Sequence, residues 1–453
     1  LCDILKGPLC KVFNQSLMLG IFPDKMKISE IVPLYKAKEK HLLNNYRPIS
    51  LLPVMSKLLE KIVHKRLYSF LSSNNLIYES QYGFRSGHNT INAVSELIGD
   101  IIKGYEEKCY TLVVFLDLSK AFDTLKHDTL LKKLEHYGVR GVTLQWFKSY
   151  LENRSHYVKY NGVKSKFNES PITYGVPQGS VLGPLLYLIF ANDLYKCIKE
   201  SRAILFADDT TLYKTHRNVK YLYKKLNEDM NTLIDWFHAN KLSLNLSKTN
   251  YMLFKPNGST ENVENLNLIC NNNFIQKVNV MKFLGLNIDE NLNWSQHAKT
   301  VCSKLSKNLY LLRCIKNIVP NWAMRDLFFA YINNNITYGL SIWGPMCLSR
   351  DLDRVRVLHK KGLRVLGNVS SHAPTNPIVK KYKLLKLDDI VELELSKFGY
   401  RLTHNLLPEP VSKLFNRGAD YHQYNTRNRD NPIVSRHRYA MFNKSFLCRT
   451  PVL

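Results

Sequence analysis

The sequence lacks the cysteine patterns that would indicate a metal finger or a disulfide framework. Its nine cysteines include no Cys-x-x-Cys pair and no cluster with histidine at zinc-binding spacing. We therefore expect reduced thiols in an intracellular protein that is not secreted, and no zinc knuckle. The chain opens on Leu1 without a signal-like segment, which we interpret as a piece of a longer product.

Long apolar runs are also missing from the sequence. The longest, residues 181–191, is interrupted by Gly183 and Pro184 and is too short to cross a bilayer. No basic amphipathic anchor stands out, so we expect no membrane association. The length of 453 residues instead predicts roughly two to four subdomains, and an apolar content of 45% predicts that most of the chain folds.

Acidic residues are scarce relative to basic ones. The chain has 37 Asp and Glu against 64 Lys and Arg, which gives a net charge of +27. The basic residues are spread along the whole chain and are not gathered in one tail. A solvated surface accounts for a moderate excess, whereas an excess of this size favours a polyanionic partner such as nucleic acid.

Three of the acids occupy positions that suggest chemistry. Apolar, strand-like runs flank Asp208 and Asp209, which predicts a tight β-hairpin with carboxylates at its turn, although the pair alone is equally typical of an ordinary turn. A second apolar strand, residues 112–118, carries Asp117 near its end. Clustered carboxylates repel each other unless a cation lies between them, and oxygen ligands without His or Cys favour Mg²⁺. Two such ions about 4 Å apart would serve nucleotidyl transfer.

Two segments near the start of the chain have the composition of phosphate contacts. Pro48 forces Arg47 into extended backbone, so its guanidinium would be presented from a loop or strand. Two glycines frame Arg85, ahead of a helix to about residue 106 that Asn89 or Thr90 would cap.

Later segments extend the same pattern. Gln178 lies in a turn that opens a buried helix, predicted to run to about residue 198, whose N-terminus would face a phosphate. Lys248 precedes a strand, and a hairpin is predicted at residues 278–287. The periodicity then predicts long helices at residues 298–318, 322–342 and 352–366. Past about residue 370 we expect a looser chain, with nucleic-acid contacts at a basic, aromatic end that includes residues 424–429.

Taken in order, these segments resemble the successive motifs of reverse transcriptases, most closely those of jockey-like non-LTR (LINE-type) retrotransposons. The motifs that carry the resemblance are Asn45-Tyr46-Arg47-Pro48-Ile49-Ser50, Gly83-Phe84-Arg85, Phe115-Leu116-Asp117-Leu118-Ser119-Lys120-Ala121-Phe122-Asp123, Pro177-Gln178-Gly179-Ser180, Phe206-Ala207-Asp208-Asp209, Ser247-Lys248-Thr249 and Phe283-Leu284-Gly285. Each motif alone is weak or moderate, whereas the ordered set is specific. The match covers roughly residues 28–290.

The resemblance implies an α+β right-hand polymerase with an antiparallel sheet. It divides the chain into a partial N-terminal segment (1–27), fingers and palm (28–290), a helical thumb (291–370) and a basic C-terminal region (371–453). It implies RNA-directed DNA synthesis on an RNA template from a DNA primer or target, with deoxynucleoside triphosphates and two Mg²⁺ ions, or Mn²⁺ in their place. A catalytically inactive RNA-binding remnant and a group II intron-type maturase remain the alternatives.

The same resemblance assigns roles to single residues. The metal ligands and catalytic acids would be Asp117, Asp208 and Asp209, and the general acid that protonates pyrophosphate would be Lys248. The nucleotide-binding residues would be Arg47, Arg85, Phe122, Gln178 and Gly179. The ring of Phe122 would lie under the sugar and exclude a 2′-hydroxyl. The primer grip would be Phe283, Leu284 and Gly285.

The sequence departs from the family in two respects. An Arg-Ser-Thr-like run is usual after the fingers glycine, whereas this chain has His88-Asn89-Thr90. An apurinic-type endonuclease is expected upstream but is absent from this sequence, so strand nicking is not assigned to it. For action on chromosomal DNA we expect a nuclear location.

Overall fold

The computed structural model describes residues 2–37, 39–119, 121–167, 172–256, 258–259, 261, 266–270, 273–420, 429, 431–433, 439 and 442–450. The strands in these ranges are β1 (Ile28–Tyr35), β2 (Tyr46–Leu51), β3 (Tyr110–Leu116), β4 (Leu118–Ser119), β5 (Ser155–Tyr160), β6 (Val163–Lys164), β7 (Arg202–Phe206), β8 (Asp209–His216), β9 (Ser243–Leu244), β10 (Asn250–Phe254), β11 (Ile269–Cys270), β12 (Asn273–Phe274), β13 (Gln276–Lys277), β14 (Val280–Phe283) and β15 (Leu286–Asp289). Together with the helices they give an α+β chain, as predicted.

The α-helices in the same ranges are α1 (Cys2–Leu19), α2 (Val54–Ser73), α3 (Thr90–Glu106), α4 (His127–His136), α5 (Gly141–Leu151), α6 (Gly183–Ala191), α7 (Val219–Ala239), α8 (Ser295–Ile315), α9 (Asn321–Phe328), α10 (Asn334–Thr337), α11 (Leu340–Met346), α12 (Ser349–Gly367), α13 (Asn376–Tyr382), α14 (Leu387–Thr403), α15 (Glu409–Ser412) and α16 (Phe446–Arg449). Short 3₁₀ helices occupy Asp24–Met26, Leu43–Asn45, Leu194–Cys197, Gly418–Asp420 and Phe442–Lys444, and a π-helical turn spans Phe329–Asn333. No described helix is both long and apolar enough to span a membrane.

A five-stranded sheet in the order β13-β10-β3-β8-β7 forms the centre of the molecule. Its pairs are antiparallel except for the short parallel contact of β10 with β13. Strand β3 lies in the middle and is buried along its whole length, which explains its continuous run of apolar residues. The predicted strand at residues 112–118 is therefore confirmed, with Asp117 immediately after its last residue.

The sheet separates two hydrophobic cores. Along β3, Val113 and Phe115 contribute to one core, which α3, the β14–β15 hairpin and the C-terminal helices complete. Leu112 and Val114 point to the opposite face, where α2 and α4–α7 cover the second core. This alternation follows from the two-residue period of a strand. The two helical layers consequently depend on a single sheet.

A second sheet, in the order β2-β1-β5-β6, extends from the first half of the chain. It joins the rest of the molecule through Ser50 at the end of β2, whose backbone N–H donates to the Gln178 carbonyl at 2.7 Å. The N-terminal segment is also integrated, because Phe22 is fully buried against Trp146 and Tyr150 of α5.

The helices after residue 290 differ from their predicted bounds. The predicted helix 322–342 is divided among α9, the π-helical turn, α10 and α11, and a left-handed Gly339 (φ 64°) separates the last two. The expectation of a looser chain past about residue 370 is wrong for α13–α15, because their apolar residues join the same core as α8 and α12. Residues 424–428 of the basic end lie outside the described residues.

Candidate active site

The hairpin between β7 and β8 forms as predicted and places its acids at the turn. Phe206 pairs with Asp209, which leaves Ala207 and Asp208 as a two-residue turn. Ala207 has a φ of 56°, as the first turn position of a type II′ hairpin requires. The backbone at Gly83 covers this turn so closely that a β-carbon there would lie 2.3 Å from the Ala207 nitrogen. A larger residue than glycine therefore cannot be accommodated at position 83 without displacing the turn.

The strand register brings the third acid to the same place. Leu116, the last residue of β3, pairs with Thr210 of β8. Because the strands are antiparallel, Asp117, which follows β3, lies opposite Asp209, which precedes Thr210. Beyond the sheet, the Asn245 backbone N–H donates to the Asp117 carbonyl at 2.8 Å. This hydrogen bond places the turn after Asn245 beside Asp117. Lys248 lies in that turn, and its Nζ is 3.0 Å from Asp117 Oδ2.

The electrostatics of Asp209 show that the acids act on one another. Burial and, after it, the nearby charges of Asp208 and Asp117 raise the pKa of the Asp209 carboxyl to about 6, while Lys248 opposes them. The carboxyl therefore binds a proton as the pH falls through about 6, well above the ordinary range of aspartate. The three carboxylates and the lysine form one coupled group.

The chemistry of this group of carboxylates fits a divalent cation. Within the described ranges, no three His, Cys, Asp or Glu side chains converge closely enough to hold an ion. Metal ligation by Asp117, Asp208 and Asp209 stays a prediction, and Lys248 engages the first of these carboxylates. The donors are all hard oxygens, and a cation would relieve the repulsion that raises the Asp209 pKa. Asp117, Asp208 and Asp209 are therefore the residues that would hold it.

Phe122 lies in a stack of aromatic rings beside the acids. Its ring is stacked on that of Tyr187, with centroids 4.7 Å apart, and the edge-on ring of Phe84 lies 6.0 Å away. Burial raises the pKa of Tyr187, and the nearby charges of Asp208 and Asp209 raise it as well. Phe122 is half-buried, so one part of its ring remains accessible above the buried tyrosine.

The loop that contains Gln178 and Gly179 contacts the same region. The Val176 backbone N–H donates to the Phe122 carbonyl at 3.0 Å, and Gln178 Nε2 donates to Asp123 Oδ1 at 2.7 Å. Gly179 has a φ of 120°, and a β-carbon there would lie 2.6 Å from the Ser50 carbonyl oxygen. The loop therefore lies against the segment that carries Phe122 and Asp123, and the nucleotide-binding roles of Phe122, Gln178 and Gly179 stay predictions.

The helix that follows this loop differs from the prediction. The backbone N–H groups of Val181 and Leu182 donate to the buried Glu60 carboxylate at 2.7 and 3.1 Å, so the N-terminus of α6 already has an anionic partner. The prediction that this N-terminus faces a phosphate is wrong. The helix also ends at Ala191 instead of near residue 198, and the Asn192 side chain accepts from the Tyr78 backbone N–H at 2.8 Å.

The two predicted arginines occupy different environments. Arg85 Nη1 donates to the carbonyls of Tyr78 and Glu79 at 2.7 and 3.2 Å, which braces the loop from within. Burial lowers the pKa of Arg85. Arg47 is exposed on β2, three residues before Ser50. Contacts of either guanidinium with a nucleotide or template remain predictions.

The predicted primer grip is a tight hairpin. Phe283 is buried against Phe115, with ring centroids 5.5 Å apart, and Leu284 and Gly285 form the turn with φ values of 43° and 89°. Sequence reasoning missed Tyr338, whose hydroxyl donates to the Leu284 carbonyl at 2.6 Å and whose ring occupies the space beside Gly285. An aromatic residue in a helical stretch gave no signal for this contact.

Comparison with known proteins adds independent findings. The family model described as "Reverse transcriptase (RNA-dependent DNA polymerase)" matches residues 36–288, more than half of the chain. The chain is 28% identical over 439 residues to a probable RNA-directed DNA polymerase from transposon BS of Drosophila melanogaster, covering 90% of this chain and 47% of that protein. It is 29% identical over 432 residues to the RNA-directed DNA polymerase from mobile element jockey of the same species, covering 91% and 45%.

Among solved structures, apo telomerase from Candida tropicalis aligns over 89% of this chain and 71% of its own, with 11% identity and a TM-score of 0.44. The chain spans somewhat less than half the length of the transposon proteins named above.

Proposed function

The chain belongs to the reverse transcriptase (RNA-dependent DNA polymerase) family, and from this premise we propose that it extends a DNA primer on an RNA template with deoxynucleoside triphosphates. The observation that carries the proposal is the meeting of Asp117, Asp208 and Asp209 with Lys248 at one end of the central sheet. The element would be a non-LTR retrotransposon of the jockey type, as the named relatives suggest. Its action on chromosomal DNA would take place in the nucleus.

Each residue of the group has a task in this reaction. Divalent cations, Mg²⁺ or Mn²⁺, would be held by Asp117, Asp208 and Asp209. When bound, such ions activate the primer hydroxyl and neutralise the charge of the phosphates. Phe122 would support the sugar of the incoming nucleotide, and Gln178 and Gly179 would border it. The hairpin that carries Phe283 would position the primer strand.

Lys248 would be the general acid. Its Nζ lies 3.0 Å from Asp117 Oδ2 and its side chain is 58% exposed, which supports contact with a leaving pyrophosphate. Transfer of its proton to the departing oxygen would lower the barrier to bond cleavage.

Primer extension on an RNA template tests the proposed function, with Lys248→Met as the first variant. We expect the wild-type chain to extend the primer when Mg²⁺ is present and to stop when it is chelated. Lys248→Met should lower kcat by about 10²-fold, the usual contribution of a general acid, while template–primer affinity stays within about threefold. Lys277→Met, on the exposed edge strand β13, is the matched control. Equal kcat for Lys248→Met and wild type would remove Lys248 from the mechanism.

Binding to an RNA–DNA duplex should weaken steeply with salt. The net charge of +27 implies that phosphate contacts dominate affinity. If about six phosphates are contacted, the affinity should fall by about 10³-fold between 50 and 200 mM salt. Fluorescence anisotropy of a labelled duplex over a NaCl series measures the slope. A slope near zero would contradict an electrostatic interface.

A further inference from the structure

Two buried or nearly buried acids on α3 contact the elements that lead to the catalytic turn, although neither belongs to the coupled group at the turn itself. Glu96 is 4% exposed and Asp100 lies one helical turn later. Asp100 Oδ2 accepts from Tyr213 of β8 at 2.6 Å and from Arg202 of β7 at 2.8 Å. Since Arg202 and Tyr213 are a cross-strand pair, Asp100 joins both strands of the hairpin at its far end.

Glu96 binds the segment that precedes Gly83. Its carboxylate accepts from Ser80 Oγ at 3.0 Å and from the Tyr82 hydroxyl at 2.5 Å, and a longer bond of 3.3 Å comes from Tyr213. Ser80, Tyr82 and Tyr213 are themselves buried. Three hydroxyl donors on one buried carboxylate are a costly arrangement that the fold retains in place of apolar packing.

The segment that Glu96 holds is in turn paired with β7. The Ser80 carbonyl accepts from the Leu205 N–H at 3.0 Å, and the Tyr82 N–H donates to the Leu205 carbonyl at 2.7 Å. The next residue, Gly83, lies directly on the Ala207 nitrogen. A continuous series of contacts therefore runs from Glu96 to the residue that precedes Asp208.

We propose that Glu96 is a positioning residue for the Ala207–Asp208 turn, acting through the Ser80–Gly83 segment. Its consequence for catalysis rests on the proposed function, while its consequence for the turn does not. Without the carboxylate, Ser80 and Tyr82 lose their common partner, and the segment can leave the edge of β7. Ala207 would then lose the backbone that covers it.

The protonation state of Glu96 provides a readout that a purely structural role would not move. As an anion it accepts the hydroxyl protons of Ser80 and Tyr82, while the single Tyr213 proton lies closer to Asp100. A neutral carboxyl instead carries a proton on an oxygen that already receives one. Burial raises the pKa of Glu96 to about 7. The titratable groups that face it are Tyr78 and Tyr82 of the adjoining segment, Tyr213 of β8 and Asp100 of α3. Glu79 and Arg202 act on these neighbours. The hydrogen bonds from Ser80 and Tyr82 favour the anion and oppose the effect of burial, so these two bonds should be stronger above about pH 7 than below it.

Hydrogen–deuterium exchange tests the positioning role without reference to activity. In Glu96→Gln, exchange in peptides covering residues 80–84 and 203–209 should be about tenfold faster at pH 8, as expected for the loss of charge-assisted hydrogen bonds. Glu107→Gln, an exposed acid just beyond the same helix, should leave both peptides unchanged. If Glu96→Gln does not fold, Tyr82→Phe decides, because it removes only one hydroxyl and should accelerate exchange in the same two peptides. Exchange equal to wild type in the variant that folds would overturn the proposal.

The ratio of wild-type kcat to Glu96→Gln kcat, measured against pH, tests the consequence for catalysis. Groups common to both proteins, including Asp209, cancel in this ratio. The ratio should rise from about one near pH 5.5 to about ten near pH 8, the size expected for a small displacement of a reacting group. A ratio that does not change with pH would overturn the catalytic role of Glu96. Absence of extension by the wild-type chain would instead refute the proposed function, and the exchange experiment would still stand.

Discussion

Replacement of Asp208 by alanine is expected to abolish primer extension while leaving RNA binding nearly unchanged. Asp208 occupies the second position of a two-residue turn, so its side chain has no structural task in the strand pairing on either side. Its loss removes one carboxylate from the group that would hold the cations. We expect kcat to fall by at least about 10³-fold, equivalent to about 4 kcal/mol of transition-state stabilisation. Primer extension on an RNA template with Mg²⁺ measures this loss.

The control for this experiment is Asp235→Ala, which removes an exposed aspartate from α7. Both variants lose one negative charge, so a general effect on nucleic-acid affinity would appear in both. Template–primer affinity should stay within about threefold for each, because phosphate contacts come from basic residues. If Asp208→Ala extends primers as well as Asp235→Ala, the assignment of the catalytic acids is wrong.

Replacement of Phe122 by valine is expected to admit ribonucleotides. The ring of Phe122 is fixed from below by Tyr187 and from the side by Phe84, so it presents a rigid wall to a sugar. Valine would leave space where a 2′-hydroxyl could enter. We expect the preference for deoxynucleotides over ribonucleotides, measured as the ratio of kcat/KM values, to fall by about 10²-fold, which corresponds to about 3 kcal/mol.

Phe84→Val is the matched control for the sugar gate. It removes an aromatic ring from the same stack, but from a side chain that is 46% exposed. If loosening of the stack alone admitted ribonucleotides, Phe84→Val would reproduce the effect. Phe122→Val should lower the free energy of unfolding by no more than about 2 kcal/mol, since its ring is not fully buried. Phe84→Val adds backbone strain, because Phe84 has a φ of 57° and valine is β-branched. An unchanged nucleotide preference in Phe122→Val would assign that ring to packing.

The sequence was most informative where the signal was local. The alternation of apolar residues around Asp208 and Asp209 predicts a hairpin, and the buried strand before Asp117 predicts the centre of the sheet. Both patterns lie within a few residues of the acids, and the structure contains the strand pairings that they predict. The pairing of Asp117 with Lys248 spans 131 residues, and only the resemblance to a family pointed to it.

Contacts that depend on packing could not be predicted from single residues. Glu60 follows Leu59 on α2 and nothing in its neighbours distinguishes it, yet it receives two N–H groups of the α6 segment more than a hundred residues later. The inward orientation of Arg85 likewise follows from nearby backbone carbonyls that only the folded loop collects. Neither contact has a signal in the sequence near the residue that makes it.

The order of the C-terminal helices was missed for a different reason, because the signal was present. Helix α14 carries apolar residues at helical spacing, and they are buried: Leu387, Ile390, Val391, Leu395, Phe398 and Leu402. The basic residues around α14 favour nucleic-acid contacts, whereas the 3.6-residue spacing of its apolar residues predicts a packed helix. The charged residues indicate the solvent-facing side of a helix, and the apolar spacing indicates its buried side, so both patterns are needed to predict its environment.

The single sheet shared by two cores sets a limit on how the chain can be shortened. The family match ends at residue 288, but the hydrophobic core that Val113 and Phe115 join continues through helices as late as α16. A shortened chain that stopped at the last recognised motif would leave that face in water and invite self-association. The smallest autonomously folding unit is consequently larger than the segment that the family model matches, because the helices beyond residue 288 shield its core from solvent.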